Sequence, residues 1–135
     1  MSPTISARII HGSLMLGVML FYAVAWYVGS KTSMPVSAVP DRRLLYFGLF
    51  LISAVLFGAA MYTAGRLTRP GPGISQDEWW KVNLSRAIGI WSLVEAPTLL
   101  GTVAYLITHD FRTLIATLAG LLLFVNYRPS RLTEA

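Results

Sequence analysis

Four long apolar stretches constrain this chain more than any other feature of its sequence. They cover residues 9–28, 44–64, 87–108 and 111–127. A helix needs roughly 20 predominantly apolar residues to cross a bilayer, and about 17 is the lower limit. The pattern therefore predicts an all-α membrane protein with four transmembrane helices, of which the fourth is closest to that limit.

The composition fits a single membrane domain. Of the 135 residues, 55% are hydrophobic and 13% are charged, whereas soluble domains average about 25% charged residues. No polar stretch is long enough to enclose a second core, so we predict one transmembrane domain over residues 1–135. The absence of cysteine excludes disulfides, iron–sulfur ligation and thiol catalysis.

The connections predict that the four helices form two antiparallel hairpins. Only His109 and Asp110 separate the third stretch from the fourth, so these two helices must turn tightly, with Asp110 as the N-cap of the fourth. Residues 68–73 hold two prolines and two glycines and cannot be helical.

A short helix is predicted between this loop and the third stretch. Residues 75–78, Ser-Gln-Asp-Glu, match a capping box. Trp79 and Trp80 follow it, and indoles are typical of the membrane–water interface. We predict a helix over residues 76–84 that lies on the membrane surface, with both tryptophans as interfacial anchors. Contact with a ligand or a partner is the alternative for these side chains.

Basic residues near the ends of the stretches predict the orientation. One side carries seven of them: Arg8, Arg66, Arg69, Lys81, Arg86, Arg128 and Arg131. The other side carries four: Lys31, Arg42, Arg43 and Arg112. The side richer in Lys and Arg is normally cytoplasmic, so both termini are predicted in the cytoplasm. The net charge of +5 reflects this topology and does not indicate nucleic-acid binding.

Glu95 lies near the middle of the third stretch, at membrane depth. An ionisable group there is costly and marks a functional-site hypothesis. Spacings of three, four and seven residues place it on one helix face with six other polar residues. This polar stripe comprises Ser85, Ser92, Glu95, Thr98, Thr102, Tyr105 and His109. Pro97 removes a backbone donor beside the carboxyl, which predicts a local bend or a bound water.

Three interpretations of Glu95 follow from its position. It is a neutral group that hydrogen-bonds a neighbouring helix, a docking contact for a partner protein, or a carboxylate that carries protons or ions. Cations within the chain are badly placed for an ionised Glu95. Arg86 is nine residues away, roughly 13 Å along a helix, and His11 lies closer to the membrane surface. A partner chain would have to supply the cation.

His11 is the other ionisable residue on a membrane-facing stretch. It follows Arg8 by three residues, so we predict an interfacial polar role, through a hydrogen bond or a lipid headgroup. Ligation of haem or chlorophyll is the alternative. His109 falls on the opposite side of the membrane, so one chain cannot ligate a single haem through both histidines.

The sequence contains no phosphate-binding glycine loop, no metal-ligand cluster and no Ser–His–Asp set. We therefore predict no enzyme activity, no metal and no cofactor. The leading functional prediction is a non-catalytic integral membrane subunit, a structural or accessory component of a larger membrane complex such as a bioenergetic one. Its partners would be the lipid bilayer and other membrane subunits or further copies of itself. A proton- or ion-translocating module that uses Glu95 is the first alternative, and a pigment- or haem-associated subunit is the second.

Two resemblances accompany this interpretation. Residues 94–103, Val-Glu-Ala-Pro-x-Leu-Leu-Gly-x-Val, resemble the carboxylate helix of rotary ATP synthase proteolipid (c) subunits, which would imply that Glu95 carries a proton or sodium ion. Residues 9–21, residues 95–103 and the Arg128-Pro129 pair resemble small four-helix bacterial integral membrane proteins. This second resemblance implies the fold and a bacterial cytoplasmic membrane, and it implies no activity.

Overall fold

The computed structural model describes residues 1–32 and 41–134, and every regular element in these ranges is helical. The elements are α1 (Pro3–Lys31), α2 (Arg42–Gly65), α3 (Gln76–Thr108), a 3-10 turn (Phe111–Thr113), α4 (Leu114–Asn126) and α5 (Pro129–Thr133). Helices α1, α2 and α3 are long and apolar enough to cross a membrane, whereas the apolar segment Phe111–Asn126 is shorter. The all-helical prediction is confirmed, and three of the four predicted spans have spanning length.

The predicted capping box is present, whereas Asp110 caps the 3-10 turn before α4 and not α4 itself, whose N-cap is Thr113. The Ser75 hydroxyl accepts a hydrogen bond from the Glu78 backbone N–H at 3.2 Å, and the Glu78 carboxylate accepts one from the Ser75 N–H at 3.0 Å. Asp110 caps the 3-10 turn that leads into α4 by accepting from the Arg112 N–H at 2.9 Å. These oxygens satisfy N–H groups that have no partner within their own helix.

The predicted surface helix is not a separate element. Residues 76–84 are the first turns of α3, which continues unbroken to Thr108. No glycine or proline stands between Leu84 and Ala87, so nothing ends the helix before the apolar stretch begins. At 1.5 Å per residue α3 is about 50 Å long, and the hydrocarbon core of a bilayer is only about 30 Å thick. The helix is therefore long enough to span the core and project beyond it.

Helix α3 is the centre of the fold. Helices α1, α2 and α4 each pack against it, whereas α1 and α2 have little contact with one another. The first predicted hairpin is therefore not a packed pair. In a bilayer, lipid would cover the outer apolar faces of α1 and α2 as well as another helix would, so these faces have no need to pack on each other. Small and hydroxyl side chains on α3 instead allow close approach from several sides.

The contacts at the two ends of α3 define the helix directions. Near its beginning, Thr4 of α1 bonds Asp77, and further along Trp26 stacks on Tyr105 with ring centres 5.8 Å apart. Helix α1 therefore runs parallel to α3. Helix α4 runs antiparallel to it, because Trp91 donates to the carbonyl of Tyr127 just after α4 ends. Helices α3 and α4 are thus antiparallel neighbours, and the predicted two-hairpin membrane topology stays a prediction.

Asp77 provides a pH-dependent contact between α1 and α3, outside the apolar part of either helix. Its carboxylate accepts hydrogen bonds from the hydroxyl and the backbone N–H of Thr4. The Thr4 hydroxyl is the main cause that lowers the pKa of Asp77 below the ordinary aspartate value. Because folding lowers this pKa, the stabilisation is fully present above the unfolded-state pKa and is lost as the pH falls through the folded-state pKa.

We expect Thr4→Val to raise the pKa of Asp77 toward the ordinary value, because the valine side chain cannot donate a hydrogen bond. NMR titration of the carboxyl carbon in micelles measures this pKa directly. Thr32→Val is the matched control, since the Thr32 hydroxyl bonds the Val28 carbonyl at the other end of α1. Equal Asp77 titration curves in wild type and Thr4→Val would contradict the assignment.

Candidate functional site

The polar stripe of α3 does not share a single environment. Thr98 and Thr102 are completely buried, Glu95 is half-buried, and Ser85 and Ser92 are exposed. The reason is geometric: a stripe with steps of three, four and seven residues winds around a helix of 3.6 residues per turn, by about 120° between Ser85 and His109. One part of the stripe consequently faces α4 and another part faces out of the protein.

The buried part forms a threonine cluster with α4, defined by Thr98, Thr102 and Thr117. The Thr117 hydroxyl donates to the Thr98 carbonyl across the helix interface at 3.0 Å. The Thr102 and Thr117 hydroxyl oxygens are 3.0 Å apart, so Thr102 can donate to Thr117. The Thr98 hydroxyl donates to the Val94 carbonyl within α3. A hydrogen bond to a neighbouring helix was one interpretation of Glu95. In the structure, these threonine hydroxyl groups form the hydrogen bonds between α3 and α4.

Two glycines bring the helices of this cluster together. A Cβ atom on Gly101 would lie 2.8 Å from the Thr117 hydroxyl and 2.9 Å from the Thr113 carbonyl. A Cβ atom on Gly120 would collide with the Thr98 hydroxyl oxygen. Sequence reasoning missed Gly120, although Thr113, Thr117 and Gly120 are spaced as small residues on one face of a helix.

Pro97 is buried inside α3, and the helix continues through it. Its missing N–H leaves the Leu93 carbonyl without the usual backbone donor. The neighbouring Val94 carbonyl has an additional donor in the Thr98 hydroxyl. The predicted bend or bound water at this point stays a prediction.

Glu95 lies at the edge between the buried and the exposed surface of α3. Within residues 1–32 and 41–134, its carboxyl forms no hydrogen bond and no ion pair. In particular, neither Arg86 nor His11 forms an ion pair with Glu95 in the part of the chain that the structure describes. The described part of the chain therefore offers no group that compensates this carboxyl.

The exposed surface beside Glu95 combines three small residues with two larger apolar ones. We call it the outer stripe of α3, and it comprises Gly89, Ser92, Ala96, Leu100 and Val103, spaced by three or four residues. Helices α1 and α2 also expose small residues, Ser13 and Gly17 on α1 and Ala54 and Gly58 on α2, but these lie among large apolar side chains such as Leu20 and Phe47. Small residues on a membrane helix allow another helix to approach closely.

His11 is buried and caps the end of α4. Its Nε2 atom is 2.9 Å from the Phe124 carbonyl oxygen, one of the last carbonyls of α4, which have no partner in their own helix. A carbonyl only accepts, so Nε2 carries the hydrogen. A haem or chlorophyll would have to displace this bond or bind the other ring nitrogen. The structure thus gives His11 the hydrogen-bonding role that the sequence favoured, inside the protein and not at a headgroup.

Trp79 and Trp80 are also inside the protein, with 5% and 1% of their surface exposed. Their rings meet edge to face at 4.9 Å, and Trp80 approaches Trp91 at 6.2 Å. The Trp79 indole N–H donates to the Thr68 carbonyl at 2.7 Å. This burial differs from the predicted anchoring in the headgroup layer. Trp79 and Trp80 belong to the first turns of the continuous helix α3. These turns face the loop that follows α2, and the two indoles pack there.

These tryptophans belong to an aromatic cluster of five residues: His11, Trp79, Trp80, Trp91 and Phe124. It joins α1, α3 and α4 at the end of the protein where α3 begins. Trp91 was not among the predicted site residues. A sequence signal for it exists, because Trp80 and Trp91 are eleven residues apart, about three helical turns, and so share a face.

The chemistry available to this arrangement is limited. Among the described residues no three His, Asp or Glu side chains come together as a potential metal site. The threonine and aromatic clusters use their polar atoms for packing between helices. Comparison of the chain with protein families, with curated proteins and with solved structures finds no match. Interpretation of Glu95 therefore rests on its own surroundings.

Proposed function

We propose that this protein is a non-catalytic membrane subunit that docks on a partner through the outer stripe of α3, with Glu95 as the central polar contact. The observation that carries the proposal is the half-buried Glu95 carboxyl, which has no partner among the described residues and borders the small residues Ser92 and Ala96 of the outer stripe. A polar group at membrane depth is normally compensated within protein. A partner helix on the outer stripe would supply that compensation.

The position of α3 adds support. It is the helix on which α1, α2 and α4 all pack, so a partner on its outer stripe would contact the most constrained element of the fold. Small residues at Gly89, Ser92 and Ala96 would let the partner backbone come close, and Glu95 would hydrogen-bond it. The same arrangement fits a second copy of this chain as the partner.

The membrane topology belongs to the same proposal. Four spans, with the short α4 crossing as the fourth, would place both termini in the cytoplasm of a bacterial cell. The alternative function is a proton- or ion-translocating module, in which the exposed edge of Glu95 would exchange a proton with a partner subunit. The half-exposed carboxyl is the observation that favours this alternative over a pigment-binding role.

Purification of tagged protein from native membranes in gentle detergent, followed by native mass spectrometry, tests the proposal. We expect defined partner chains at fixed stoichiometry. Glu95→Gln should retain them, because the amide still hydrogen-bonds. Glu95→Leu should lose them, because leucine cannot hydrogen-bond. Leu122→Ala on the lipid-facing side of α4 is the control and should retain the partners.

Two results would count against docking through Glu95, and two others would favour the ion-translocating alternative. Wild type recovered only as a monomer would overturn it, and so would partner retention in Glu95→Leu. If Glu95→Gln kept its partner chains but lost proton or ion transport across the membrane, the ion-translocating alternative would be favoured. Carbodiimide labelling of Glu95 in a pH-dependent manner would support the same alternative.

A further inference from the structure

We propose that the arginine pocket between the carboxyl-terminal ends of α2 and α4 binds the phosphate headgroup of an anionic phospholipid. The pocket is an open cavity of about 370 Å³. Its polar lining is Arg69, Arg131, Asn126 and Tyr127, and its apolar lining includes Met61, Leu67 and Leu132. We call this site the arginine pocket.

Charge complementarity identifies the ligand. Two guanidinium groups line the arginine pocket from different segments, Arg69 from the loop after α2 and Arg131 from α5. No carboxylate is among the described residues that line it. Neither guanidinium forms a hydrogen bond or ion pair within the described chain. Arginine binds phosphate through paired N–H groups, so two arginines facing one cavity suit a phosphodiester.

The apolar wall selects a lipid over a free phosphate. Met61 and Ala64 belong to the last turns of α2, and Leu67 and Leu132 are half-buried beside them. These residues continue the arginine pocket toward the membrane-spanning part of α2, where an acyl chain would lie. Basic pockets between membrane helices on the cytoplasmic side are typical sites for anionic headgroups. The same end of the protein is the one richer in arginine and lysine, which is the predicted cytoplasmic side.

The space between α2 and α4, next to the arginine pocket, also supports a lipid as the ligand. Helices α2 and α4 have few contacts with each other, and a second, mostly apolar cavity of about 480 Å³ separates them farther from the cytoplasmic end. Ser53 lines this second cavity, and its buried hydroxyl has no hydrogen-bond partner in the described chain. Lipid is the material that surrounds α2 and α4 at this depth, so the space between them is open to acyl chains.

Native mass spectrometry of the purified protein with added phosphatidylglycerol or phosphatidylcholine tests the proposal. The variant is Arg69→Gln with Arg131→Gln. The matched control is Arg66→Gln with Arg128→Gln, which removes the same charge from the same two segments but from residues that do not line the arginine pocket. All four arginines are exposed, so both variants should fold. Each single variant of the first pair should show part of its effect.

We expect phosphatidylglycerol affinity to fall about twenty-fivefold in the first pair, at roughly fivefold for each arginine lost near a membrane surface. The control pair should lose much less, and phosphatidylcholine should bind weakly to every variant. Equal losses in both pairs would overturn the site, because they would indicate diffuse attraction to a basic surface. Inorganic phosphate that displaces the lipid at equal concentration would overturn the commitment to a lipid. The isolated protein is sufficient for this test, so its result is independent of partner docking through Glu95.

Discussion

Trp91→Ala should lower the free energy of unfolding by about 3 kcal/mol, the low end of the range for truncating a buried Trp or Phe. The Trp91 ring is fully buried and lies 5.1 Å from His11 and 6.2 Å from Trp80, measured between ring centres. Its indole N–H donates to the Tyr127 carbonyl at 2.9 Å. Truncation would leave a cavity between α1, α3 and α4 and would orphan that carbonyl. We use the low end of the range because a side chain that is buried from lipid gains no free energy from the removal of apolar surface from water.

Denaturation by SDS in mixed micelles, followed by the fluorescence of the remaining tryptophans, measures this change. Phe47→Ala is the matched control, since that aromatic side chain is 63% exposed on α2, and we expect a change within about 0.5 kcal/mol. Trp91→Phe keeps most of the ring and removes the donor, so its loss should be about 1 kcal/mol. If Trp91→Ala denatured at the same point as Phe47→Ala, the aromatic cluster would not stabilise the fold.

Gly120→Ala should destabilise the protein by about 1–3 kcal/mol, as overpacking of a buried interface does. The added Cβ atom would collide with the hydroxyl oxygen of Thr98 and lie 2.8 Å from its Cβ. Thr98 is completely buried, so its side chain has little space into which to move. Helix α4 would have to separate from α3, which would stretch the 3.0 Å hydrogen bond from Thr117 to the Thr98 carbonyl.

Gly58→Ala on α2 is the matched control, because a Cβ atom there meets nothing within 4 Å. The higher helix propensity of alanine should leave this variant unchanged or more stable by up to about 1 kcal/mol. Thr98→Ala in the Gly120→Ala background removes two of the three clashing atoms and should recover part of the loss. Equal stability of Gly120→Ala and Gly58→Ala would show that α3 and α4 are not in close contact at this point.

The helices were predictable because their signals are local. An apolar stretch of spanning length, a capping box at Ser75 and an N-cap at Asp110 each depend on residues next to one another in sequence. The relation of α3 to its neighbours was not predictable in the same way. A short loop favours antiparallel packing of the helices that it joins, as for α3 and α4. Helices α1 and α2 instead each pack against α3 and have little contact with one another.

The candidate site was predictable in its residues and less so in their roles. Spacing placed Glu95, Thr98 and Thr102 on one face, and the three are indeed neighbours along α3. What spacing could not show is that the stripe winds around the helix, so that the threonines face Thr117 while Glu95 reaches the edge of the outer stripe. That division depends on where α4 packs, which is set by Gly101 and Gly120.

The tryptophans illustrate the same limit. Trp79 and Trp80 beside charged residues are typical of an interfacial segment, and that pattern was interpreted as a surface helix. In the fold, Trp79 donates to the Thr68 carbonyl and Trp80 packs near Trp91. Only the continuous α3, which brings its first turns back against the loop after α2, explains why these indoles lie inside.

Site-specific crosslinking at the outer stripe in native membranes tests the central claim most directly. The chain has no cysteine, so a photoreactive maleimide can be attached at a single introduced position. Ala96→Cys, next to Glu95, should give a crosslink to one defined protein. Leu20→Cys, 57% exposed on the lipid-facing surface of α1, should give none. One partner captured from position 96 alone is the result that docking through α3 predicts. The same products from both positions, or a crosslink from position 20 alone, would contradict it.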